Sequence, residues 1–340
     1  MSYWIRQRRP LQSSPMTAAL LFGAVAFGCG MRPEVALSQS LTVTLLGTGT
    51  PVPVIERFGP SILVEAGGAK LLFDVGRGAS VRLWQSGVAL GDVSAIFFTH
   101  LHSDHVSGFP DLWLTGLLPN KSFGHRKEPT RVYGPVGTSA MMAHVFQAYE
   151  ADLHYREAVE QISPAAAEIR AEDIVPGVVY EKGGVKVTAF EVDHGEPVRP
   201  AFGYRIDYGG HSVVLSGDTR PSENLIRVSA GCDVLFHEVA AAPSVLLQQS
   251  DVARRIVDHH TTPDQAGGVF TRVKPRLAVY THVLLLTTDP AIAPPSIADV
   301  INATHVRYTG PLEVGEDLMT VEVGAQIAVR RRHPSNVSAP

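Results

Sequence analysis

The most constraining feature of the sequence is the stretch Thr99-His100-Leu101-His102-Ser103-Asp104-His105, which directly follows a run of apolar β-forming residues, 93–98. Where a strand runs out into a loop, side chains at alternate positions point the same way. His100, His102 and Asp104 can therefore face one space while His105 turns toward a neighbouring point. Imidazole and carboxylate are zinc-type ligands, and a site without a thiolate is typical of catalytic rather than structural zinc. The stretch predicts a strand that ends in a catalytic site for two adjacent cations.

Strands followed by ligand-type residues recur along the chain. Strand-like segments 70–73, 185–192, 212–215, 233–236 and 277–280 are followed by Asp74, His194, Asp218, His237-Glu238 and His282. Because strand after strand stops at a histidine or a carboxylate, we expect their ends to converge on one edge of a layered assembly. Two sheets packed face to face, with helices outside, would bury this many strands. The sequence therefore predicts an α/β fold, an αββα sandwich of two mixed β-sheets.

The connecting segments predict turns and helices. Gly67-Gly68 and Gly209-Gly210 are hairpin signals, and Gly47–Pro53 is a glycine- and proline-rich turn expected to line the site. Helices are predicted over 79–86, 139–158, 244–258 and 263–273. Residues 107–183 carry the aromatic residues Phe109, Trp113 and Phe123, which are expected either to wall the pocket or to pack in the core.

The first 38 residues resemble a secretory signal. Three arginines precede an apolar run over 18–28, and Ala36-Leu37-Ser38 resembles a cleavage site, which leaves a single hydrolase domain over 39–340. A lipoprotein cleavage after Gly28, twin-arginine export through Arg8-Arg9 and a retained extension are the alternatives. Export predicts a periplasmic or secreted protein, with no membrane contact beyond the signal or a lipid anchor, since no segment reaches the roughly 18 apolar residues of a membrane-spanning helix.

Charge and cysteine content limit the partners. The net charge of −4 becomes −7 when the four arginines and one glutamate of residues 1–38 are removed. This balance disfavours a nucleic-acid partner, because affinity for phosphates comes from neutralising them with basic side chains. Only Cys232 would remain, in an apolar strand-like run, and it is expected to be a buried, inert thiol.

Taken together, these motifs resemble the five signature motifs of the metallo-β-lactamase superfamily, over roughly residues 41–330. Four segments resemble its tRNase Z (ribonuclease Z) and arylsulfatase-like branch: Ser216-Gly217-Asp218-Thr219, His237-Glu238, His260-Thr261-Thr262 and Gly315-Glu316-Asp317-Leu318-Met319. The resemblance implies the metallo-β-lactamase fold and two Zn²⁺ ions, with Mn²⁺ or Fe as alternatives. The implied ligands are His100, His102 and His194 for one ion, Asp104, His105 and His282 for the other, and Asp218 as the bridge.

The resemblance also implies catalytic roles. Asp104 would orient a hydroxide held between the two ions, and Asp74 would fix the tautomer of a ligand histidine. His260 is the candidate acid for the leaving group, with Glu238 as its orienting partner, although both could be structural. His237 and His259 are interpreted as supporting residues.

The sequence departs from tRNase Z between the third and fourth motifs. In bacterial members of that family a long arm that grips tRNA lies there, whereas only 23 residues separate His194 from Asp218 here. We therefore expect an exported di-zinc hydrolase that acts on a small ester, phosphodiester or β-lactam. The sequence leaves the oligomeric state open, and the resemblance is compatible with a homodimer, since relatives are often dimers. The alternatives are a ribonuclease Z-type phosphodiesterase and a metal-binding protein with a lapsed active site.

Overall fold

Two β-sheets face each other through the middle of the structure, a computed structural model that describes residues 40–332. The predicted secretory segment, 1–38, and both proposed cleavage points lie outside the described residues. The strands are β1 Leu41–Gly47, β2 Ser61–Ala66, β3 Ala69–Phe73, β4 Ala95–Phe97, β5 Thr130–Gly134, β6 Ile169–Asp173, β7 Gly177–Lys182, β8 Val185–Val192, β9 Ala201–Tyr208, β10 His211–Leu215, β11 Val234–Ala241, β12 Leu277–Leu285, β13 Leu312–Val314, β14 Thr320–Val323 and β15 Ile327–Arg330.

Both sheets mix parallel and antiparallel pairs. The first sheet has the order β15-β14-β1-β2-β3-β4-β5-β6, and the second has the order β13-β12-β11-β10-β9-β8-β7. Strands β3 to β6 are parallel in the first sheet, and β10 to β13 are parallel in the second. Because the carboxyl ends of parallel strands meet at one edge, each sheet delivers several loops to the same edge of the sandwich.

Helices cover the outer faces. They are α1 Ala79–Gln85, α2 Ser103–Val106, α3 Phe109–Leu117, α4 Thr138–Ala148, α5 Glu150–Glu160, α6 Pro164–Ala167, α7 Glu223–Ser229, α8 Ser244–Gln249, α9 Asp251–Asp258, α10 Pro263–Val273 and α11 Ile297–His305, with short 3₁₀ turns at Leu90–Asp92 and Lys121–Phe123. The αββα arrangement expected from the sequence is confirmed. No helix within residues 40–332 has the length and apolar character needed to cross a lipid bilayer.

Two predicted helices are each divided in the structure. The segment 139–158 becomes α4 and α5, which meet at Tyr149, a residue outside the helical region at φ −108° and ψ 12°. The segment 244–258 becomes α8 and α9, because Ser250 adopts an extended conformation and its hydroxyl accepts a hydrogen bond from the backbone N–H of Ala253. A serine in this position caps a new helix rather than continuing the old one.

The core has an inner layer between the sheets and an outer layer under the helices. Phe73, Phe97 and Tyr204 stack in the inner layer, with Phe73 and Phe97 ring centroids 4.9 Å apart. Phe109 and Trp113 are completely buried in the outer layer of the first sheet. Burial of each such side chain stabilises the fold by about 1.5–3 kcal/mol. These two aromatics are therefore core residues and do not wall the pocket.

Candidate metal centre and active site

The ligand stretch leaves β4 as an extended chain and then forms one turn of helix. Strand β4 ends at Phe97, and α2 begins after His102, which is extended at φ −63° and ψ 146°. His100 and His102 therefore alternate as in a strand, while Asp104 and His105 project from a helical turn. The expectation that Asp104 continues the alternating pattern is wrong, because the turn of α2 carries it toward His105 and His282.

Three imidazoles form the first group. His100 Nε2 lies 2.8 Å from His102 Nδ1, and His194 Nε2 lies 3.4 Å from that same atom. His100 and His194 are buried, whereas His102 is open to solvent. Three ring nitrogens that converge in this way could hold one cation.

Asp104, His105 and His282 form the second group, and Asp218 lies between the two groups. Asp104 Oδ2 is 3.6 Å from His105 Nε2 and 3.5 Å from His282 Nε2. Asp218 Oδ2 is 3.3 Å from His105 Nε2, 3.2 Å from His282 Nε2, and 4.0 Å from Nε2 of both His100 and His194. One carboxylate oxygen therefore faces ligand atoms of both groups, as a bridging ligand must.

Buried nitrogens without partners show that the donor set fits metal ions. His105 Nε2 and both ring nitrogens of His282 are buried and have no hydrogen-bond partner among the described residues. A buried polar atom without a partner is costly, and a cation on these nitrogens would remove that cost. Histidine and aspartate without cysteine suit a catalytic zinc site, so the residues fit the group that the sequence implied.

Neighbouring acceptors fix which nitrogen each histidine presents. Asp74 Oδ2 accepts a hydrogen bond from His105 Nδ1 at 2.7 Å, and the Asp74 carboxylate also accepts from the backbone N–H and the hydroxyl of Thr99, both at 2.8 Å. The His259 carbonyl accepts from His194 Nδ1 at 2.9 Å. In both histidines the proton on Nδ1 leaves Nε2 free for a cation.

The carboxylates draw positive charge into the centre. Burial acts to lower the pKa of His105, but Asp218 and Asp74 outweigh it and hold that pKa well above its usual range. Burial acts to raise the pKa of Asp218, but His282 and His105 hold it well below its usual range. Burial and the nearby His105 keep the pKa of His100 well below the usual value. The site therefore attracts a positive charge while keeping a neutral imidazole available as a ligand.

His282 reaches the centre through an irregularity in the sheet. Between β11 and β12 the register shifts, so that Glu238 pairs with Thr281 and Val239 pairs with Val283. His282 is the extra residue in β12 and has a positive φ of 43°. The sequence predicted that both strands end at their polar residues, but β11 continues to Ala241 and β12 to Leu285. The bulge, rather than a strand end, turns the His282 side chain toward the centre.

His260 and Glu238 lie next to the ligands. His260 Nδ1 is 3.3 Å from Glu238 Oε1, and Oε1 also accepts a hydrogen bond from the backbone N–H of Thr261 at 2.8 Å. Burial opposes the charged form of His260, but Glu238 raises its pKa to about 9. The pair can therefore hold a proton beside the metal ligands. His237 is completely buried and its Nδ1 donates to the Glu238 carbonyl, which is a supporting contact.

Asp317 holds the turn that lines the site, a role that the sequence did not reveal. Its carboxylate accepts from the backbone N–H and hydroxyl of Thr48 at 3.0 Å and from the Phe58 N–H at 2.8 Å, and it pairs with Arg82 Nε at 3.1 Å. Asp317 and Arg82 are both buried. Asp317 belongs to one of the motifs that resemble the tRNase Z branch, so the sequence did mark this residue. Its pairing with Arg82 on α1 depends on the fold and could not be predicted from a local pattern.

Two cavities flank the ligands. The larger cavity has a volume of about 420 Å³. Besides several candidate ligands, its lining includes His260, Thr50, Pro51, Val52, Ile256, Leu284 and Leu286. The smaller, about 260 Å³, lies beside His100 and His102 and is lined by Pro135, Val136 and Arg199, among others. The segment 107–183 therefore contributes Pro135 and Val136 to the surroundings of the site, while Phe123 packs against Trp84 instead.

Comparisons with known proteins identify the family of the chain. The sequence model of the beta-lactamase superfamily domain matches residues 70–283. Ribonuclease Z of Mycobacterium sp. (strain KMS) is 34% identical over 290 residues, which cover 85% of this chain and 99% of the relative. Among solved structures, human tRNase Z, short form, is 21% identical with a TM-score of 0.60, covering 83% of this chain and 99% of its own. The metallo-beta-lactamase fold protein YhfI from Bacillus subtilis is 17% identical with a TM-score of 0.61, covering 84% and 100%.

Proposed function

The chain belongs to the metallo-β-lactamase superfamily and, within it, to the ribonuclease Z family, and from that premise we propose that it is a zinc-dependent phosphodiesterase that cleaves RNA. That it is a hydrolase of this superfamily follows from the comparisons; the zinc ions and the RNA substrate are the proposal. The similarity to ribonuclease Z favours this reading over the small-ester hydrolase that we expected first. It also weighs against the expectation that nucleic acid is disfavoured as a partner.

The position of Asp218 is the observation that carries the proposal. Its Oδ2 lies within 4.0 Å of ring nitrogens from both ligand groups. A pair of zinc ions supplies Lewis acidity, since it lowers the pKa of water and neutralises the negative charge that develops on a phosphoryl group. His100, His102 and His194 would hold one ion, Asp104, His105 and His282 the other, and Asp218 both.

The remaining residues of the site orient groups or hold protons. Asp74 keeps the His105 proton on Nδ1, which leaves Nε2 available as a ligand. His260, which borders the larger cavity, would donate a proton to the departing oxygen, and Glu238 would orient its ring. Proton donation by such a group typically accelerates a reaction by about 10²- to 10⁴-fold. Every residue of this set except His102 is at least largely buried, so water reaches the site mainly through the cavities.

Cleavage of a precursor tRNA tests the proposal. The zinc-loaded full chain is incubated with a 5′-labelled precursor that carries a 3′ trailer, and we expect one shortened product, which disappears on chelation and returns with zinc. His105→Ala should abolish it, while His144→Ala, on the exposed face of α4, serves as the matched histidine control and should cleave normally. Intact precursor after incubation with fully metallated protein would contradict the RNA substrate.

Export is proposed separately from catalysis. The resemblance of residues 1–38 to a secretory signal supports a periplasmic or secreted location, and it stays a prediction. Fractionation of cells that express the full chain, followed by mass spectrometry of the mature N-terminus, tests it. A new N-terminus at Gln39 supports signal cleavage, one at Cys29 supports the lipoprotein alternative, and an intact Met1 or Ser2 contradicts both.

A further inference from the structure

The larger cavity beside the metal ligands has an aliphatic wall. Apart from metal ligands and neighbouring polar residues, it is lined by Pro51, Val52, Ile256, Leu284 and Leu286. Within the described part of the chain its lining contains no lysine, arginine, phenylalanine, tyrosine or tryptophan, and its aromatic rings are the imidazoles of His102, His194, His259, His260 and His282. A groove for single-stranded RNA combines basic side chains with aromatic rings on which bases stack. Apart from the imidazoles on the side of the candidate ligands, this lining has neither, and its other side offers a surface that favours an apolar group.

We propose that this cavity is a subsite for the alkyl group of a small phosphodiester, so that the chain binds such diesters more tightly as that group lengthens. The proposal rests on the phosphodiesterase function proposed above. The phosphoryl group would lie at the metal ligands, and the apolar group would lie against Val52, Ile256, Leu284 and Leu286. The reaction adds water across one P–O bond and releases an alcohol or phenol and a phosphomonoester.

Two separate parts of the chain form the wall. Leu284 and Leu286 follow His282 along and just after β12 and pack with Ala240 of β11 and with Ala253 and Val257 of α9. Ile256 of α9 packs against this small cluster from the side. Because this part of the wall belongs to a packed cluster, it keeps its shape before any substrate binds.

The opposite wall is the turn between β1 and β2, and it is held from both ends. Asp317 binds the N–H groups of Thr48 and Phe58, and Arg82 donates from Nη2 to the Ile55 carbonyl at 2.9 Å. The turn thus has a fixed shape although its tip is exposed: Val52, Val54 and Ile55 are 55%, 43% and 75% exposed. Preorganisation of this kind reduces the cost of ordering a wall when a ligand binds.

The smaller cavity provides an internal comparison. It touches the same cluster at His100 and His102, but it includes Arg199, and its exposed valine is Val136. An apolar group should therefore prefer the Val52 side to the Val136 side. Substitution of one valine or the other can report which side is occupied.

Binding of a homologous series of alkyl phosphonates, methyl to hexyl, tests the subsite directly. Calorimetry with the zinc-loaded full chain measures each Kd and its heat-capacity change. Because burial of one methylene group is worth about 0.8 kcal/mol, we expect Kd to fall about fourfold per added methylene until the cavity is filled. The heat-capacity change should become more negative along the series, as it does when apolar surface is buried. Equal Kd values for methyl and hexyl phosphonate would overturn the proposal.

Three valine variants then locate the alkyl chain. Val52→Ser should reduce the dependence on chain length to about twofold per methylene, and Val159→Ser, 80% exposed on α5, should leave it unchanged. If Val136→Ser reduces it while Val52→Ser does not, the alkyl chain occupies the smaller cavity and the proposal is wrong.

Hydrolysis of bis(p-nitrophenyl) phosphate, measured in parallel, separates the two proposals. Turnover combined with a flat phosphonate series leaves the phosphodiesterase standing and removes the subsite. Chain-length-dependent binding combined with no turnover of this diester or of precursor tRNA retains the apolar site but removes the phosphodiesterase function, and with it the proposed hydrolysis.

Discussion

The two halves of the candidate metal centre are built in different ways. In the first half, His100, His102, Asp104 and His105 follow one another after β4, and Asp74 at the end of β3 supports them. In the second half, each candidate ligand stands in or after a different strand and is placed by a different local feature. His194 is held by a backbone carbonyl, Asp218 follows Gly217 at φ 60°, and His282 occupies a bulge. The first half is a local structure, whereas the second exists only when the second sheet is assembled.

Removal of the Asp218 carboxylate should have the largest effect, because this second-half residue is the one that faces both ligand groups. In Asp218→Ala, Nε2 of both His105 and His282 loses its nearest carboxylate oxygen. We expect the metal content to fall from about two zinc ions per chain to less than one, and activity to fall by at least about 10³-fold as activated water is lost. Elemental analysis and precursor cleavage measure this. Asp207→Ala, on β9 beside Arg205, is the matched control. Two zinc ions in Asp218→Ala would show that each ligand group binds its ion without the bridging carboxylate.

Neutralising one supporting carboxylate in each half should have smaller and different effects. Asp74→Asn places an amide where His105 Nδ1 donates, so we expect a 10- to 100-fold loss of zinc affinity or activity. Glu238→Gln keeps an oxygen for the Thr261 N–H but removes the charge beside His260. There we expect normal zinc content and a fall in kcat of about 10²-fold. Competition with a zinc chelator, measured together with steady-state kinetics, distinguishes them. Equal zinc loss in both variants would mean that the supports in the two halves act alike.

The smallest effect is expected just before β11 begins, at the end of the strand away from the candidate site. Labelling of the thiol there tests how far the reactive part of the second half extends. Cys232 precedes β11, is buried, and burial raises the pKa of its thiol to about 12. Since the thiolate is the reactive form, almost none is present at pH 8. In Cys29→Ser, in which Cys232 is the only thiol, we expect no labelling by iodoacetamide in the folded state and full labelling in guanidinium chloride. Rapid labelling of the folded protein would show that this end of the strand opens to solvent.

Local patterns predicted the first half of the centre better than the second. The spacing of His100, His102, Asp104 and His105 identified the loop that carries four of the candidate ligands, and Gly67-Gly68 identified the β2–β3 hairpin. The bulge at His282 could not be predicted, since it depends on how β12 pairs with β11. The extent of β11 was missed for the same reason: burial between neighbouring strands allows Glu238 to lie inside a strand.

Side-chain packing between distant parts of the chain could not be predicted from the sequence either. Phe109 and Trp113 follow the ligand loop directly, yet α3 turns them toward the outer core. The pairing of Arg82 with Asp317 joins residues far apart in the chain, and no local pattern connects them. The choice between one long helix and two short ones depended on single residues, Tyr149 and Ser250, whose non-helical backbone conformations the apolar pattern did not indicate.

Because of its bulge, strand β12 carries both a candidate metal ligand and part of the cavity wall. Because β12 does not end at His282, Leu284 and Leu286 lie just beyond the ligand and form part of the cavity wall. A change that shifts β12 by one residue would move the ligand and the wall at once. Redesign of the cavity through this strand would therefore disturb the positions of the candidate ligands. The β1–β2 turn bears Val52 and supplies none of the candidate ligands, so substitutions there should leave those positions unchanged. New selectivity should accordingly arise first in that turn.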